Sequence, residues 1–465
     1  MIDDLQPYPE YKESGLPWVG TMPAHWSHRR TKFLFQERVQ KGFPKEPLLA
    51  ATQTKGVIRK EDYGTRTVTA MKDLHLLKLV EKGDFVISLR SFEGGIEIAH
   101  CRGIISPAYT VLTPHPEVEP SYYAKFFKSA LFIQSLTLFV TGIREGQNID
   151  YERVGRAYMP YPPKEEQELI GRFLGHLNHR IDQAIRSKRK LIALLNEQKQ
   201  AIIHKAVTRG LDPNAPLKDS GIPWLGQIPM HWEVRRAKQL CKGIIDCKNR
   251  TPDRKDGGEF TVVRTTNIRN GRFNLAGSYS TNRKNYEIWT QRGAPMLGDV
   301  FFTREAPVGE ACLVPSIEGL CMGQRMMYFR PDHEVLDPAF LLLTIYGPVV
   351  RKYIEIEANG STVGHLRLGQ VTALPVLWCP IDEQRQIVSH TANESKPIDE
   401  AISRLESEID LLREYRTRLV SDVVTGKLDV REAAAKLPPE VEESDSVAES
   451  EDLDELDDEV VEEAA

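Results

Sequence analysis

The sequence predicts an α+β protein in which two homologous mixed α/β domains are joined by two long helices. These helices are expected to pair as an antiparallel coiled coil about a pseudo-two-fold axis. Three observations support the prediction: a Trp- and Pro-rich phrase occurs twice, a helical segment with heptad-like apolar spacing occurs twice, and the segments between these repeats differ. The repeats therefore indicate a shared frame, and the differing segments indicate two separate recognition domains.

The first repeat is the phrase KESGLPWVGTMPAHWSHRRTK at residues 12–32, which returns as KDSGIPWLGQIPMHWEVRRAK at residues 218–238. Twelve positions are identical at a constant offset of 206 residues, the difference between 218 and 12. His25 and His231 stand before the second tryptophan of each copy, without a serine or cysteine nucleophile motif nearby. We interpret them as packing or hydrogen-bonding residues.

The second repeat is helical. Residues 165–185, EEQELIGRFLGHLNHRIDQAI, parallel residues 382–402, DEQRQIVSHTANESKPIDEAI, at an offset of 217. A 4-3 apolar spacing, from Ile170 through Leu191 to Ile202 in one copy and from Ile398 to Val423 in the other, predicts two long helices that pair. A helix over 165–208 would span roughly 66 Å, and Pro397 is expected to break or restart the second helix.

The segments between the repeats have mixed α/β character. Apolar runs predict strands at 83–89, 259–264 and 298–303, and one buried helix each at 121–139 and 338–354. The predicted domains are a first recognition domain at 1–160, a central helical region at 161–212, a second recognition domain at 213–380, a C-terminal helical region at 381–431 and a disordered acidic tail at 432–465.

Charge is distributed unevenly along the 465 residues. Residues 440–465 carry 14 Asp and Glu and no Lys or Arg, so removing them from the net charge of −5 leaves +9 for residues 1–439. A basic body suits a polyanionic partner, although ordinary surface scatter gives a similar charge. The six cysteines form no Cys-x-x-Cys pair and are expected to be reduced and mostly buried. Without a membrane-spanning run or signal peptide, we expect a cytoplasmic protein.

The sequence lacks the motifs of common catalytic sites. It contains no P-loop, and no Gly-x-Gly-x-x-Gly follows a predicted strand. Side chains that bond base edges or neutralise phosphates cluster instead in the differing segments. The candidate DNA-binding residues are Gln53, Lys55, Arg59, Arg66, Arg90, Arg144, Gln147, Asn148, Lys248, Asn249, Arg250, Arg254, Arg264, Thr265, Asn267, Arg269, Asn270, Arg304, Gln324, Arg325, Ser361, Thr362 and His365.

The repeated phrases, the helix starts PPKEEQ and CPIDEQ, and the ending LVSDVVTGKLDVRE resemble the specificity subunit of Type I restriction–modification systems over residues 12–431. This resemblance implies two target recognition domains, each binding one half of a split, asymmetric sequence in double-stranded DNA, and a helical coil that sets their spacing and docks two modification subunits. It implies a non-catalytic chain that binds no cofactor and no metal. Partner methyltransferase subunits would use S-adenosylmethionine, and partner restriction subunits ATP and Mg²⁺.

Two alternative functions are compatible with the residues alone. One is a protein scaffold with two peptide-binding domains that does not bind DNA. The other is an enzyme with an unfamiliar site beside the repeated His-Trp pair.

Overall fold

The computed structural model describes residues 5–63, 73–88, 91–136, 140–141, 148–149, 151–358 and 364–438. The chain divides into two compact units. The first comprises Met1–Lys188 with Ser407–Ala465, and the second comprises Arg189–Glu406. Each unit therefore contains one predicted recognition domain and a part of each long helix.

The first unit places short strands around one mixed core. Its strands are β1 (Tyr11–Glu13), β2 (Thr21–Pro23), β3 (Ser27–Arg30), β4 (Phe35–Glu37), β5 (Leu49–Thr52), β6 (Gly56–Arg59), β7 (Lys78–Val80), β8 (Phe85–Ile87), β9 (Glu97–Ile98), β10 (Gly103–Ile105), β11 (Thr110–Pro114), β12 (Val140–Thr141), β13 (Asn148–Ile149) and β14 (Tyr158–Tyr161). The helices that begin in it before the second unit are α1 (Thr31–Leu34), α2 (Ser91–Gly94), α3 (Pro120–Phe127), α4 (Ala130–Leu136), α5 (Tyr151–Arg156) and the long α6 (Lys164–Arg209).

The central sheet of the first unit has the antiparallel strand order β4-β11-β8-β9. Helix α3 covers it with aromatic side chains. Phe35 of β4 meets Phe85 of β8 and Tyr123 of α3 edge to face, with ring centroids 5.5 and 5.2 Å apart. All three rings are buried, so the aromatic run at the start of the predicted 121–139 helix forms the core of this domain.

The second unit repeats this plan with other residues. Its strands are β15 (Leu217–Asp219), β16 (Gln227–Pro229), β17 (Glu233–Arg236), β18 (Cys241–Asp246), β19 (Phe260–Val263), β20 (Ile268–Arg269), β21 (Arg272–Phe273), β22 (Tyr279–Thr281), β23 (Val300–Thr303), β24 (Ala311–Leu313), β25 (Leu320–Met322), β26 (Met326–Pro331) and β27 (Pro375–Trp378). Its helices are α7 (Ala237–Leu240), α8 (Arg283–Trp289), α9 (Pro338–Tyr346), α10 (Pro348–Ala358), α11 (Leu368–Thr372) and the long α12 (Ile381–Val424), which continues into the first unit and is followed there by α13 (Arg431–Ala435).

The central sheet of the second unit, β18-β26-β23-β24, matches that of the first unit strand for strand. A second sheet, β22-β19-β25, is added to it, and its β19 and β25 pair in parallel. The shared frame and the differing additions agree with the predicted fold class. The predicted strands at 83–89, 259–264 and 298–303 are confirmed as β8, β19 and β23.

The two long helices pair antiparallel, as predicted. In the first unit Arg416 contacts Asp182 at 2.7 Å, and Glu408 contacts Lys188. Successive residues of α6 therefore pair with earlier and earlier residues of α12, as antiparallel helices do. In the second unit Lys199 lies 2.7 Å from Asp399. The apolar seam is buried at Ile170, Leu174, Leu177 and Ile181, but the seam prediction is wrong at Leu191, which is 46% exposed.

The predicted single helices at 121–139 and 338–354 are each two helices, α3–α4 and α9–α10. In the second unit the break falls at Gly347, which is extended because Pro348 disfavours the helical conformation in the residue before it. In the first unit the hydroxyl of Ser129 accepts a hydrogen bond from the Phe132 amide and starts a new helix.

Two further expectations about the C-terminal part are wrong. Helix α12 continues through Pro397, because Thr391 and Ile398 on either side of it are buried and hold the helix in place. The expected disordered tail from residue 432 begins instead with α13, whose Ala434 is buried together with Leu437. Residues 439–465 lie outside the described residues.

All six cysteines are free thiols, and four of them are buried, which confirms the expectation of reduced and mostly buried thiols. Burial raises the pKa of Cys312 and of Cys321 to about 12, so these thiols stay protonated near neutral pH. Among the described helices, none combines the length and apolar character that crossing a membrane requires.

We expect Pro397→Ala to stabilise the second unit, because it adds an amide donor for the carbonyl of Asn393 and removes a ring from the helix interior. Proline costs about 3 kcal/mol relative to alanine inside a helix, and part of this, about 1–3 kcal/mol, should be recovered as a higher Tm in scanning calorimetry. Glu394→Ala, an exposed change on the same helix, should leave the Tm nearly unchanged. An unchanged Tm for Pro397→Ala would contradict a continuous α12.

Candidate nucleic-acid interface

The start of each long helix is fixed to the repeated phrase by a glutamate. In the first unit one carboxylate oxygen of Glu166 accepts hydrogen bonds from the Trp26 indole at 3.0 Å and the Tyr8 hydroxyl at 2.5 Å. The other oxygen lies 2.8 Å from Nε2 of His25. Glu166 and Trp26 are buried, and a carboxylate in the first turn also suits the helix dipole.

The second unit repeats this contact. One carboxylate oxygen of Glu383 accepts from the Trp232 indole at 3.0 Å, and the other lies 2.8 Å from Nε2 of His231. Because the imidazole is held by the carboxylate that also orients the tryptophan, the geometry favours the predicted scaffold role for both histidines.

The next residue of each helix fixes the recognition domain. The side-chain amide of Gln167 accepts from the Glu119 backbone amide at 2.9 Å and donates to the Pro162 carbonyl. Gln384 accepts from the Asp337 amide at 2.9 Å and donates to the Cys379 carbonyl. Glu119 and Asp337 are the N-caps of α3 and α9, so one glutamine connects each long helix to the helix that covers its sheet.

The repeated tryptophans also contact the end of the other long helix. In the second unit Gly210, which follows α6, is so close that an added Cβ would lie 3.3 Å from Trp232. In the first unit a Cβ on Gly426, which follows α12, would lie 2.3 Å from Pro23 and 3.0 Å from Trp26. Each tryptophan therefore lies between the start of one long helix and the end of the other, an arrangement that requires the helices to run antiparallel. We call these two contact sets the junctions: His25, Trp26, Glu166, Gln167 and Gly426 in the first unit, and His231, Trp232, Glu383, Gln384 and Gly210 in the second.

Three candidate residues of the second domain lie together near the end of β23. Arg304 follows this strand and pairs with Asp246 at 3.2 Å, while its backbone amide donates to the Arg325 carbonyl. Arg325 itself has a left-handed backbone with φ of 71° and pairs with Glu305 at 3.3 Å. His365 is exposed and forms a backbone bridge with Glu305. Strained non-glycine backbone of this kind is common at functional sites.

A neighbouring part of this face is formed by the segment after β18. Lys248 and Arg250 both lie over the ring of Trp289, at 5.9 and 5.3 Å from its centroid. The Gln324 amide donates to the Thr251 hydroxyl at 3.3 Å, which places Gln324 beside them. Asn249 is exposed. Arg254, also exposed, pairs locally with Asp256.

The loop from residue 264 to 277 divides its candidates into two kinds. Asn267 is fully buried; its side-chain oxygen accepts from the Arg264 amide and its NH₂ group donates to two backbone carbonyls. These bonds use the whole amide, so Asn267 shapes the loop. Arg264, Arg269 and Asn270 are exposed and Thr265 is half-buried, so the loop turns these side chains toward solvent.

Only three candidates of the first domain have described side chains. Gln53, Lys55 and Arg59 lie on the β5–β6 hairpin, where Gln53 and Arg59 are exposed and Lys55 is half-buried. For Asn148 only the backbone of β13 is described. Arg66, Arg90, Arg144, Gln147, Ser361 and Thr362 lie outside the described residues. No group of three or more metal-ligating side chains occurs within the described part of the chain.

Several residues of this site were missed by sequence reasoning. Tyr8 and Trp289 carry no recognisable motif. Lys128 and Tyr346 hold loops of the two domains. Their equivalence becomes visible in the sequence only when Pro120 and Pro338, the first residues of α3 and α9, are aligned.

A duplicated frame that presents two different polar faces defines a class of protein: a two-domain recognition subunit built on paired helices. Residues 229–398 match the family model described as the Type I restriction modification DNA specificity domain. This part of the chain matches such a domain, in agreement with the family that the repeated phrases resemble.

Three solved structures are similar to this chain. One, described as the structural basis underlying complex assembly and conformational transition of the type I R-M system, is 16% identical, covers 87% of this chain and 98% of its own, and has a TM-score of 0.61; it shows the fold. The HsdS subunit from Thermoanaerobacter tengcongensis is 16% identical over the same shares with a TM-score of 0.43. The S subunit from M. genitalium is 12% identical over 86% and 96% with a TM-score of 0.33.

We expect Gly426→Ala to destabilise the first unit, because alanine is strained at φ of 77° and its Cβ would overlap Pro23. The left-handed backbone alone costs roughly 1–2 kcal/mol, and the overlap adds to it. Gly20→Ala is the matched control, since Gly20 has φ of 74° with nothing within 4 Å of the added Cβ. Scanning calorimetry should show a clearly larger loss of Tm for Gly426→Ala; equal losses would contradict the tight junction.

Proposed function

We propose that this chain is the non-catalytic DNA-reading subunit of a Type I restriction–modification complex, and that each recognition domain reads one half of a split, asymmetric site in double-stranded DNA. The observation that carries the proposal is the junction. Its glutamate–tryptophan–histidine contacts recur in the two units with the same distances, 3.0 and 2.8 Å, while the polar residues of the two recognition domains differ. Two different readers on one frame imply two different half-sites.

The exposed side chains of the second domain suit base and phosphate contacts. Arginine bonds guanine O6 and N7, and asparagine bonds adenine N6 and N7. Arg269 and Asn270 lie side by side at the tip of the β20–β21 hairpin, so one short turn offers both kinds of donor. Lys248 and Arg250, which lie over the ring of Trp289, are proposed to neutralise phosphates.

The paired helices are proposed to dock two modification subunits and to set the gap between half-sites. Because the frame is duplicated, it presents the same kind of surface twice, which suits two copies of one partner. Those partners would use S-adenosylmethionine for methylation, and restriction subunits would use ATP and Mg²⁺. This chain would supply sequence selection to both.

Exchanging residues 239–379 for the corresponding segment of a related subunit tests the modular proposal. The full chain, reconstituted with its modification subunits, is used to select duplexes from a pool with a randomised segment, and the bound duplexes are sequenced. We expect one half of the selected sequence to change and the other half and the gap to remain. A change in both halves, or in neither, would show that the domains do not read independently. The unexchanged chain is the control.

Salt dependence separates DNA binding from a protein-only scaffold. If about five phosphates are neutralised, the logarithm of the association constant should fall with the logarithm of salt concentration with a slope of about −4.5. Arg250→Gln should reduce the slope by about 1, whereas Arg385→Gln, an exposed change in the first turn of α12, should not alter it. A flat salt response would favour the scaffold that binds peptides.

A further inference from the structure

The two domains place different side chains at the same position of the shared frame. Helices α3 and α9 both begin with proline, at Pro120 and Pro338, and both are capped by an acid that the glutamine of the junction contacts. Eight residues after each proline, at the end of the helix, stand Lys128 and Tyr346. Both reach out of the helix to a hairpin that carries candidate base-reading residues.

Tyr346 holds the β20–β21 hairpin through its hydroxyl. This oxygen accepts from the Gly271 amide at 2.8 Å and donates to Glu310 at 2.8 Å. The second contact is shared, because Glu310 also accepts from the Asn270 amide at 2.6 Å. Burial raises the pKa of Tyr346 to about 12, so the hydroxyl keeps its proton at neutral pH. Arg351 lies 3.6 Å from the other oxygen of Glu310.

We call the contacts of Tyr346 and Glu310 with this hairpin the clamp. The backbone geometry of the hairpin makes the clamp important. Asn270 has a left-handed backbone with φ of 49°, and Gly271 follows with 79°, as a tight two-residue turn requires. Arg269 and Asn270 are exposed at its tip. Tyr346 and Glu310 bind the backbone of the turn and neither of the two side chains. One guanidinium nitrogen of Arg269 donates to the Thr265 and Ile268 carbonyls, while the side chain as a whole stays exposed.

In the first domain Lys128 holds the corresponding hairpin, with an ammonium group in place of a hydroxyl. Its ammonium donates to the Gln53 carbonyl at 2.8 Å, to the Gly94 carbonyl at 2.8 Å and to the carboxylate of Glu97. Glu97 is buried, and a Cβ on Gly94 would lie 2.8 Å from the Gln53 side chain. The turn of the β5–β6 hairpin is thus tied by its backbone to the end of α3 and to β9.

We propose that Tyr346 with Glu310, and Lys128 with Glu97, are positioning residues that set the sequence specificity of each domain by fixing its reading hairpin on the frame. This inference rests on the proposed DNA-reading function. A bidentate contact to a base edge discriminates only when the donor atoms are held in place. The same helix end supplies that hold twice, and the clamp residue differs because the hairpins differ.

Sequence selection with randomised duplex DNA tests the second-domain clamp. The full chain with its modification subunits is compared with Tyr346→Phe, which removes one oxygen and keeps the ring. We expect the preference for the favoured bases in one half-site to fall by about fivefold or more, with the other half unchanged, because the hydroxyl's hydrogen bonds to Gly271 and Glu310 are lost together and each is worth about 1 kcal/mol, or about fivefold. Tyr353→Phe is the matched control: it removes a hydroxyl that bonds the Gln370 carbonyl at 3.1 Å elsewhere in the same domain.

Two further variants separate positioning from general stability. Glu310→Gln keeps the shape of the side chain and should lower the base preference in the same half-site as Tyr346→Phe. The double change Lys128→Met with Glu97→Gln removes both charges of the buried pair together and should blur the opposite half. The unaffected half of each selected sequence shows that the variant protein is folded.

The outcomes distinguish the two proposals. If the unaltered chain selects no sequence, the proposed function is wrong and this inference falls with it. If the unaltered chain selects a split sequence and Tyr346→Phe selects the same sequence with the same base preference as the unaltered chain in both halves, the clamp does not set specificity. Equal blurring of both halves by Tyr346→Phe would likewise overturn the inference, since it would reflect a loss of the frame.

Discussion

The architecture depends on a hydrogen-bonded carboxylate at the start of each long helix, which is buried in Glu166 and half-buried in Glu383. Glu166 and Glu383 bind the indole of a repeated tryptophan and the imidazole beside it. A buried carboxylate is costly unless its oxygens are bonded, and here both oxygens have partners. The direction in which each helix leaves its phrase is therefore fixed by bonds that are expensive to break.

The same tryptophans make the pairing of the helices specific. Trp26 and Trp232 each contact the glycine after the far end of a long helix, where a side chain has no room. The apolar seam favours pairing but is incomplete, since Leu191 remains exposed. Apolar contacts alone also define the direction of the helices poorly. The junctions supply direction, because they place the start of one helix beside the end of the other.

Within each unit, hydrogen bonds connect the long helix to the recognition domain. The glutamine after each junction carboxylate reaches the cap of the helix that covers the sheet. That helix ends at Lys128 in one domain and at Tyr346 in the other, and each holds a hairpin. The same position of the frame thus holds a hairpin in both domains with different chemistry.

The sequence alone determined the duplication, the fold class and the paired helices, because repeats and apolar spacing are visible along the chain. It also found the polar stretch from 248 to 272. Only the tertiary structure decided that Asn267 shapes a loop while Arg269 and Asn270 face solvent, that α12 runs through Pro397, and that Tyr346 holds a hairpin 75 residues away. Which side chain meets a distant backbone atom depends on how the chain folds back, and local sequence carries no record of that.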